Sequence, residues 1–145
     1  MFNLLNRDYI TSKIPEQDIN AFTNNDSAPD KLELLMSEAG AYIDLMLSDI
    51  YDLSGVALES ENFPSKQVLT RIQFEIFKYF LYQMVYDDEQ MKAVVLSYQE
   101  QLNMLERIRN GSITLAGIPR KTRKGIAVTS PSQVFTKCRL ESYDN

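Results

Sequence analysis

Histidine is absent from the 145-residue sequence. Because histidine is the commonest general base and the commonest metal ligand in proteins, its absence argues against hydrolase, nuclease and zinc chemistry. The glycines at positions 111, 117 and 125 do not form a phosphate-binding loop between a strand and a helix, so nucleotide binding has no support either. We therefore expect no catalytic residue, metal ion or cofactor, and we predict that the protein is not an enzyme.

Cysteine occurs once, at Cys138, so no intrachain disulfide can form and a reducing compartment is the simpler assumption. Long uninterrupted apolar runs are also missing. The most apolar stretch, residues 68–86, contains Arg71, Glu75 and Lys78 and cannot span a bilayer as it stands. We predict a protein that makes no membrane contact and acts inside a cell or in a particle assembled there.

Apolar residues recur at intervals of three and four in three long stretches, a pattern typical of amphipathic helices. The predicted helices run from Ser27 to about Asp52, from Pro64 to Tyr86 and from Asp87 to Arg109. A short helix is predicted after Pro15, whose fixed backbone angle suits a first turn. The fold class is therefore mainly α: one domain whose helical bundle occupies residues 15–110.

Both ends of the chain are predicted to lie outside this bundle. Residues 1–14 are expected to form an extended lead-in, with Tyr9–Thr11 either in a short strand or packed on the core. After the third helix, polar and β-branched residues alternate at Ile113–Leu115, which predicts a strand. With Val134–Thr136, and with Ile126–Thr129 as a further candidate, this strand would form a small C-terminal β element that pairs partly with a neighbouring subunit.

Two local pairings are also predicted. Asp87 and Gln90 have the spacing of a capping box, in which each side chain accepts a hydrogen bond from the backbone N–H of the other residue. Glu75 lies four residues after Arg71 and three before Lys78. It can therefore pair with both of these cations on the surface of the second long helix.

The charge is distributed unevenly along the chain. Residues 1–110 contain 9 Lys and Arg against 18 Asp and Glu, whereas residues 111–145 contain 6 against 2. The change occurs at Gly111, a residue type that readily adopts the left-handed conformation that ends helices. The basic residues are densest in a short cluster: Arg120, Lys121, Arg123 and Lys124.

This basic cluster has three interpretations. It can contact nucleic-acid phosphates, dock on an acidic protein surface, or remain a solvated loop. The first interpretation would be favoured by interleaved aromatic residues or by a DNA-reading fold, and the sequence shows neither. Residues 116–133 have lost helical periodicity, and we expect them to form a flexible arm that orders only against a partner. Deleting residues 117–132 is accordingly expected to leave the helical fold intact.

The order and spacing of several segments carry a family resemblance. These segments are Tyr9–Thr11, Ala39 with Ile43 and Asp44 leading to Tyr51–Leu53, Tyr79 with Leu81 and Tyr82, Leu102–Gly111, and Val134–Thr136. In this layout the chain resembles the Mu-like and siphophage head–tail connector proteins. Those proteins are the neck or head-completion adaptors beneath the portal of a tailed-phage capsid.

The resemblance implies a function and a set of partners. Such a protein would form a ring, usually of twelve subunits, docked on the portal protein and on the next neck or tail-completion protein. DNA would pass through the lumen without sequence-specific binding. The subunits would assemble in the host cytoplasm and remain in the neck of the virion.

Eight residues are the candidates for contact with the portal or a neighbouring subunit: Arg120, Lys121, Arg123, Lys124, Ile113, Leu115, Val134 and Phe135. The alternative is a small nucleic-acid-binding module that uses the four basic residues of this set.

Overall fold

The computed structural model describes residues 2–22, 28–84 and 86–121. Within them the chain forms five α-helices and one turn of 3₁₀ helix at Leu53–Gly55. The α-helices are α1 (Arg7–Lys13), α2 (Glu16–Phe22), α3 (Ala28–Leu47), α4 (Ser65–Tyr82) and α5 (Lys92–Arg109). The described chain is thus mainly helical, as predicted. None of its helices is both long enough and apolar enough to cross a membrane.

The core lies where α3, α4 and α5 pack against one another. Each of these helices turns its apolar stripe towards the other two, because residues spaced by three and four share one helix face. The stripe of α4 is the widest, and it buries both Phe74 and Phe77. The large apolar side chains least exposed to solvent in the three helices are Leu32, Ile43, Leu47, Leu69, Ile72, Ile76, Phe77, Leu81, Leu105 and Ile108.

The predicted end of α5 at Arg109 is confirmed, whereas its start lies later than predicted. The Gln90 N–H donates to Asp87 Oδ1 at 2.9 Å, and the Asp87 N–H donates to Gln90 Oε1 at 3.2 Å. The two predicted hydrogen bonds are therefore present, but they hold a turn ahead of the helix: α5 begins at Lys92, five residues after Asp87, and its N-cap, Met91, has no side-chain capping bond. At the other end, Gly111 has a φ of 92° and turns the chain out of the helix.

The predicted ion pairs on α4 are found only in part. Glu75 Oε1 lies 3.3 Å from Lys78 Nζ, and both side chains are largely buried. Arg71 is exposed and forms no ion pair with any residue that the structure describes. The guanidinium group of Arg71 is therefore left facing solvent.

The expected extended lead-in is wrong for residues 7–13, which form α1. Tyr9–Thr11 lie in this helix rather than in a strand. The alternative prediction, that they pack on the core, is confirmed for Ile10, which is 0% exposed, and for Tyr9, which packs against the core. Asn6 starts the helix, because its side-chain oxygen accepts the Tyr9 N–H at 2.7 Å and so satisfies a donor that the helix cannot. This capping outweighs the strand propensity of Tyr9, Ile10 and Thr11. Ahead of Asn6, residues 2–5 lie outside any helix or strand, and the side chains of Phe2, Leu4 and Leu5 are buried.

The predicted strand at Ile113–Leu115 is also wrong. The Ile113 N–H turns back to the Arg107 carbonyl at 3.1 Å, and the Leu115 N–H donates to the Tyr51 hydroxyl at 3.2 Å. These donors are therefore not available to a neighbouring strand. The other parts of the predicted β element, residues 126–129 and 134–136, lie outside the described residues.

A single buried amide connects three parts of the chain. Gln73, on α4, is 0% exposed. Its Oε1 accepts the Leu4 N–H at 2.8 Å, while its Nε2 donates to Asn3 Oδ1 at 2.8 Å and to the Met36 carbonyl at 2.9 Å. The amide thus ties the N-terminal segment and α3 to α4.

Gly40 makes room for this arrangement. A Cβ atom at this position would lie 2.0 Å from the Phe2 carbonyl oxygen and 3.1 Å from Gln73 Nε2. Real Cβ atoms do not approach backbone oxygens so closely, so the N-terminal segment can lie against α3 only because residue 40 has no side chain.

Replacing Gln73 by leucine should lower the free energy of unfolding by about 1–3 kcal/mol, because the buried Leu4 N–H would lose its acceptor. Urea denaturation measures the change. The matched control is Gln67→Leu at an exposed position of the same helix, for which the change should stay within about 0.5 kcal/mol. Equal effects of the two substitutions would contradict the role assigned to the Gln73 amide.

Replacing Gly40 by alanine should also destabilise the protein, by about 1–3 kcal/mol, because the added methyl group would push the N-terminal segment off α3. The better helix propensity of alanine, worth about 1 kcal/mol, acts in the opposite direction and is outweighed. Thermal unfolding and amide exchange at Leu4 measure the effect. Gly55→Ala is the control, since a Cβ there meets nothing within 4 Å; equal stability of the two variants would rule out the clash.

Candidate interaction surface

Residues 112–121, which we call the closing segment, run back across the loop that joins α3 to α4. The Asp52 N–H donates to the Pro119 carbonyl at 2.8 Å, and the Lys121 N–H donates to the Ile50 carbonyl at 2.8 Å. Between these two bonds, Tyr51 and Arg120 form an isolated antiparallel bridge. The closing segment is therefore fixed to the body of its own chain by backbone bonds.

Side chains hold the closing segment as well. Leu115 and Ile118 are only 3% and 5% exposed and belong to the hydrophobic core. The Asn62 amide donates to the Gly117 carbonyl at 3.0 Å, and the Ser65 hydroxyl donates to the Ala116 carbonyl. The expectation that residues 116–133 order only against a partner is thus wrong for residues 116–121.

These contacts also mean that the expected arm cannot begin before Lys121. A deletion of residues 117–132 would remove Ile118 from the core and the Pro119 carbonyl from Asp52. That deletion would consequently damage the fold, contrary to the expectation from sequence. A deletion that begins after Lys121 leaves all of these contacts in place.

The eight candidate contact residues are in three different situations. Arg120 and Lys121 are exposed at the end of the closing segment. Ile113 is half-buried against the core, and Leu115 is committed to the core. The remaining four lie outside the described residues: Arg123, Lys124, Val134 and Phe135.

A groove of about 510 Å³ opens beside Lys121. One side of it is formed by Phe2 and Asn3, and Lys121 lies on the lining together with Asp44 and Asp52. The two ends of the described chain therefore meet at this groove. Its remaining lining residues come from the end of α3 and the loop that follows: Ser48, Tyr51, Leu53, Ser54, Val56, Ala57 and Leu58.

Two charged residues at or beside this groove, Asp52 and Arg120, have contacts with neighbouring residues. The Ser54 hydroxyl and the Ser54 N–H both donate to Asp52 Oδ1, at 2.6 and 3.1 Å. These bonds, with a smaller contribution from the positive charge of Lys121, hold the pKa of Asp52 below its usual value. The Arg120 guanidinium lies 5.7 Å from the centre of the Tyr51 ring, within the range of a cation–π contact.

Two residues that organise this surface were not predicted as site residues. Asp52 follows a recognisable pattern, since an aspartate two residues before a serine is typical of a turn in which the carboxylate accepts the backbone N–H. Tyr51 had no local signal, because its hydroxyl accepts from Leu115, 64 residues further along the chain. In the described part of the chain, no three Cys, Asp or Glu side chains are grouped so that they could hold a metal ion.

Comparison with known proteins gives one match. The model of a protein family described as Bacteriophage Mu, Gp36 matches residues 5–127, which include every helix of the structure and the whole closing segment. No curated protein and no solved structure matches the chain significantly. Since the family model covers most of the sequence, the chain belongs to the bacteriophage Mu Gp36 family.

Proposed function

We propose that this protein is a structural head–tail connector subunit, which forms a ring beneath the phage portal and lines the passage for DNA. The subunit joins capsid to tail and does not act as an enzyme. It assembles in the host cytoplasm and remains in the neck of the virion. Membership of a bacteriophage family supports a role in the phage particle or its assembly.

The observation that carries the proposal is the position at which the basic sequence leaves the helical body. Arg120 and Lys121 are exposed beside the groove where both ends of the described chain meet. Because the closing segment is fixed up to Lys121, the residues that follow start from one defined place on every subunit. In a ring, identical starting points would present a circle of basic segments to the portal or to the next neck protein.

The charge of the helical body supports the second part of the proposal, that the ring lines the passage for DNA. Residues 1–110, which include α1 to α5, carry twice as many acidic as basic residues. Protein affinity for DNA depends on cations that replace the counterions of the phosphates. An acidic wall would therefore let DNA pass without holding it.

Electron microscopy and native mass spectrometry should detect rings of the full-length chain, either alone or in the presence of the portal protein encoded with it. We expect about twelve subunits per ring, as in the connector family that the sequence resembles. The measurement with portal protein is needed because some rings close only on their docking surface. A chain that stays monomeric in both arms and does not bind portal protein would contradict the proposed function.

Neutralising Arg123 and Lys124 with glutamine should weaken binding to portal protein at least tenfold, because these cations follow directly on the fixed closing segment. Affinity is measured by biolayer interferometry at two salt concentrations. The matched control, Lys31→Gln with Lys92→Gln, removes the same charge from α3 and α5 and should bind as the unaltered chain does.

The same variants separate the connector from a nucleic-acid-binding module. Duplex binding that falls steeply with salt, and that is lost with Arg123→Gln and Lys124→Gln while portal binding is unchanged, would favour the module. For a connector we expect weak duplex binding, equal in the variant with Arg123→Gln and Lys124→Gln and in the control with Lys31→Gln and Lys92→Gln.

A further inference from the structure

Two leucines on α3 point into solvent on the same side of the helix. Leu34 is 59% exposed and Leu45 is 76% exposed. They are separated by three turns, about 16 Å along the helix axis. The exposed carboxylate of Glu38 lies between them, and the buried residues Ala39 and Ile43 occupy the opposite side of the helix. We call Leu34, Glu38 and Leu45 the α3 ridge.

A row of three depressions that share lining residues crosses the outer surface of α4 and α5. Its middle part, of about 480 Å³, lies between Val68 and Arg71 on one helix and Gln101 and Met104 on the other. Arg71 also lines a depression of about 350 Å³ that reaches Phe63, and Met104 also lines one of about 310 Å³ that reaches Arg107. We call these connected depressions the α4–α5 groove.

The ridge and the groove lie on different helices, and both face away from the core. The Arg71 side of α4 faces away from its buried side, which contains Leu69, Ile72 and Ile76. The α3 helix packs against both α4 and α5, so the outer groove between those two helices is turned away from it. The ridge, in turn, is on the side of α3 that is turned away from the core.

The two surfaces are complementary in charge and in apolar character. Arg71 and Arg107 are exposed in the groove, and neither forms an ion pair with a described residue. Glu100 also lines the part that reaches Arg107, so the two arginines outnumber the acidic residue in the groove. Glu38, on the ridge, likewise forms no ion pair within the described chain. The floor of the groove contains apolar side chains at Val68 and Met104, which could cover the exposed leucines.

We propose that the α3 ridge of one copy docks in the α4–α5 groove of the next copy. This inference rests on the proposed function, because it names the contact that would build the ring. Leu34 and Leu45 pack against the apolar floor, and the Glu38 carboxylate meets the guanidinium groups of Arg71 and Arg107. A ridge on one surface and a groove on another make a head-to-tail interface, which repeats from copy to copy and gives a ring when the rotation between copies closes.

Two double variants test the contact. Leu34→Asp with Leu45→Asp disables the ridge and leaves the groove intact, whereas Arg71→Glu with Arg107→Glu disables the groove and leaves the ridge intact. All four side chains are exposed, so circular dichroism should show unchanged helix content. Each variant alone should self-associate at least tenfold more weakly than the unaltered chain in analytical ultracentrifugation. Leu96→Asp, at a leucine of α5 that is 61% exposed and does not line the groove, is the control and should assemble normally.

Mixing the two variants provides the decisive measurement. In a head-to-tail interface, the intact ridge of one variant can enter the intact groove of the other, but neither complex can extend further. Native mass spectrometry should therefore show a 1:1 heterodimer and no larger species. Formation of this heterodimer also shows that both variants are folded.

The outcomes separate this inference from the proposed function. Rings that persist in both double variants, or a mixture that gives no heterodimer although the unaltered chain forms rings, would overturn the inference and leave the connector function standing. Self-association through the ridge alone would overturn it too, because a copy would then pair with itself symmetrically. Absence of any assembly, with or without portal protein, would overturn both proposals.

Discussion

The hydrogen bonds of the Gln73 amide are the constraint on which the rest of the structure depends. Helices that bury apolar stripes can slide and rotate against one another at little cost, since hydrophobic burial has no direction. An amide with no access to solvent does have direction, because leaving one of its groups unpaired costs about 1–3 kcal/mol. The contacts of Gln73 with Leu4 and the Met36 carbonyl therefore fix how α3 sits on α4. They also fix which side of α3 remains in solvent.

A second set of contacts fixes the other end of the described chain. Tyr51 is 1% exposed, and its hydroxyl accepts the Leu115 N–H, while backbone bonds on either side of it hold Pro119 and Lys121. The N-terminal segment reaches the same place, because Phe2 and Asn3 line one side of the groove beside Lys121. The position from which the basic sequence departs is thus determined by contacts between segments that are far apart in the chain.

The range of each interaction explains what the sequence could predict. The helices, the Asp87 and Gln90 capping box and the turn at Gly111 depend on residues a few positions apart, and their patterns were visible. The amide of Gln73 bonds to partners 69 and 37 residues away in the sequence. Contacts between residues so far apart produce no local sequence pattern. At Ile113–Leu115, polar and β-branched residues alternate, which is typical of a strand. The alternation indicates only that one side of the segment is buried, and a segment that packs across a loop is buried on one side as well. The helix at Tyr9–Thr11 runs against the strand propensity of these residues, and its signal is the N-cap at Asn6.

The uneven charge gains a different meaning once the closing segment is placed. From sequence, the change at Gly111 separated an acidic bundle from a basic arm, yet residues 112–121 belong to the bundle. An acidic body is a difficulty for a ring, since neighbouring copies with the same net charge repel one another. The two surfaces proposed to meet differ in charge from the body as a whole: Glu38 lies on the α3 ridge, whereas Arg71 and Arg107 lie in the α4–α5 groove. Opposite charges at the contact would offset part of the repulsion between bodies, so a strongly acidic subunit and a closed ring are physically compatible.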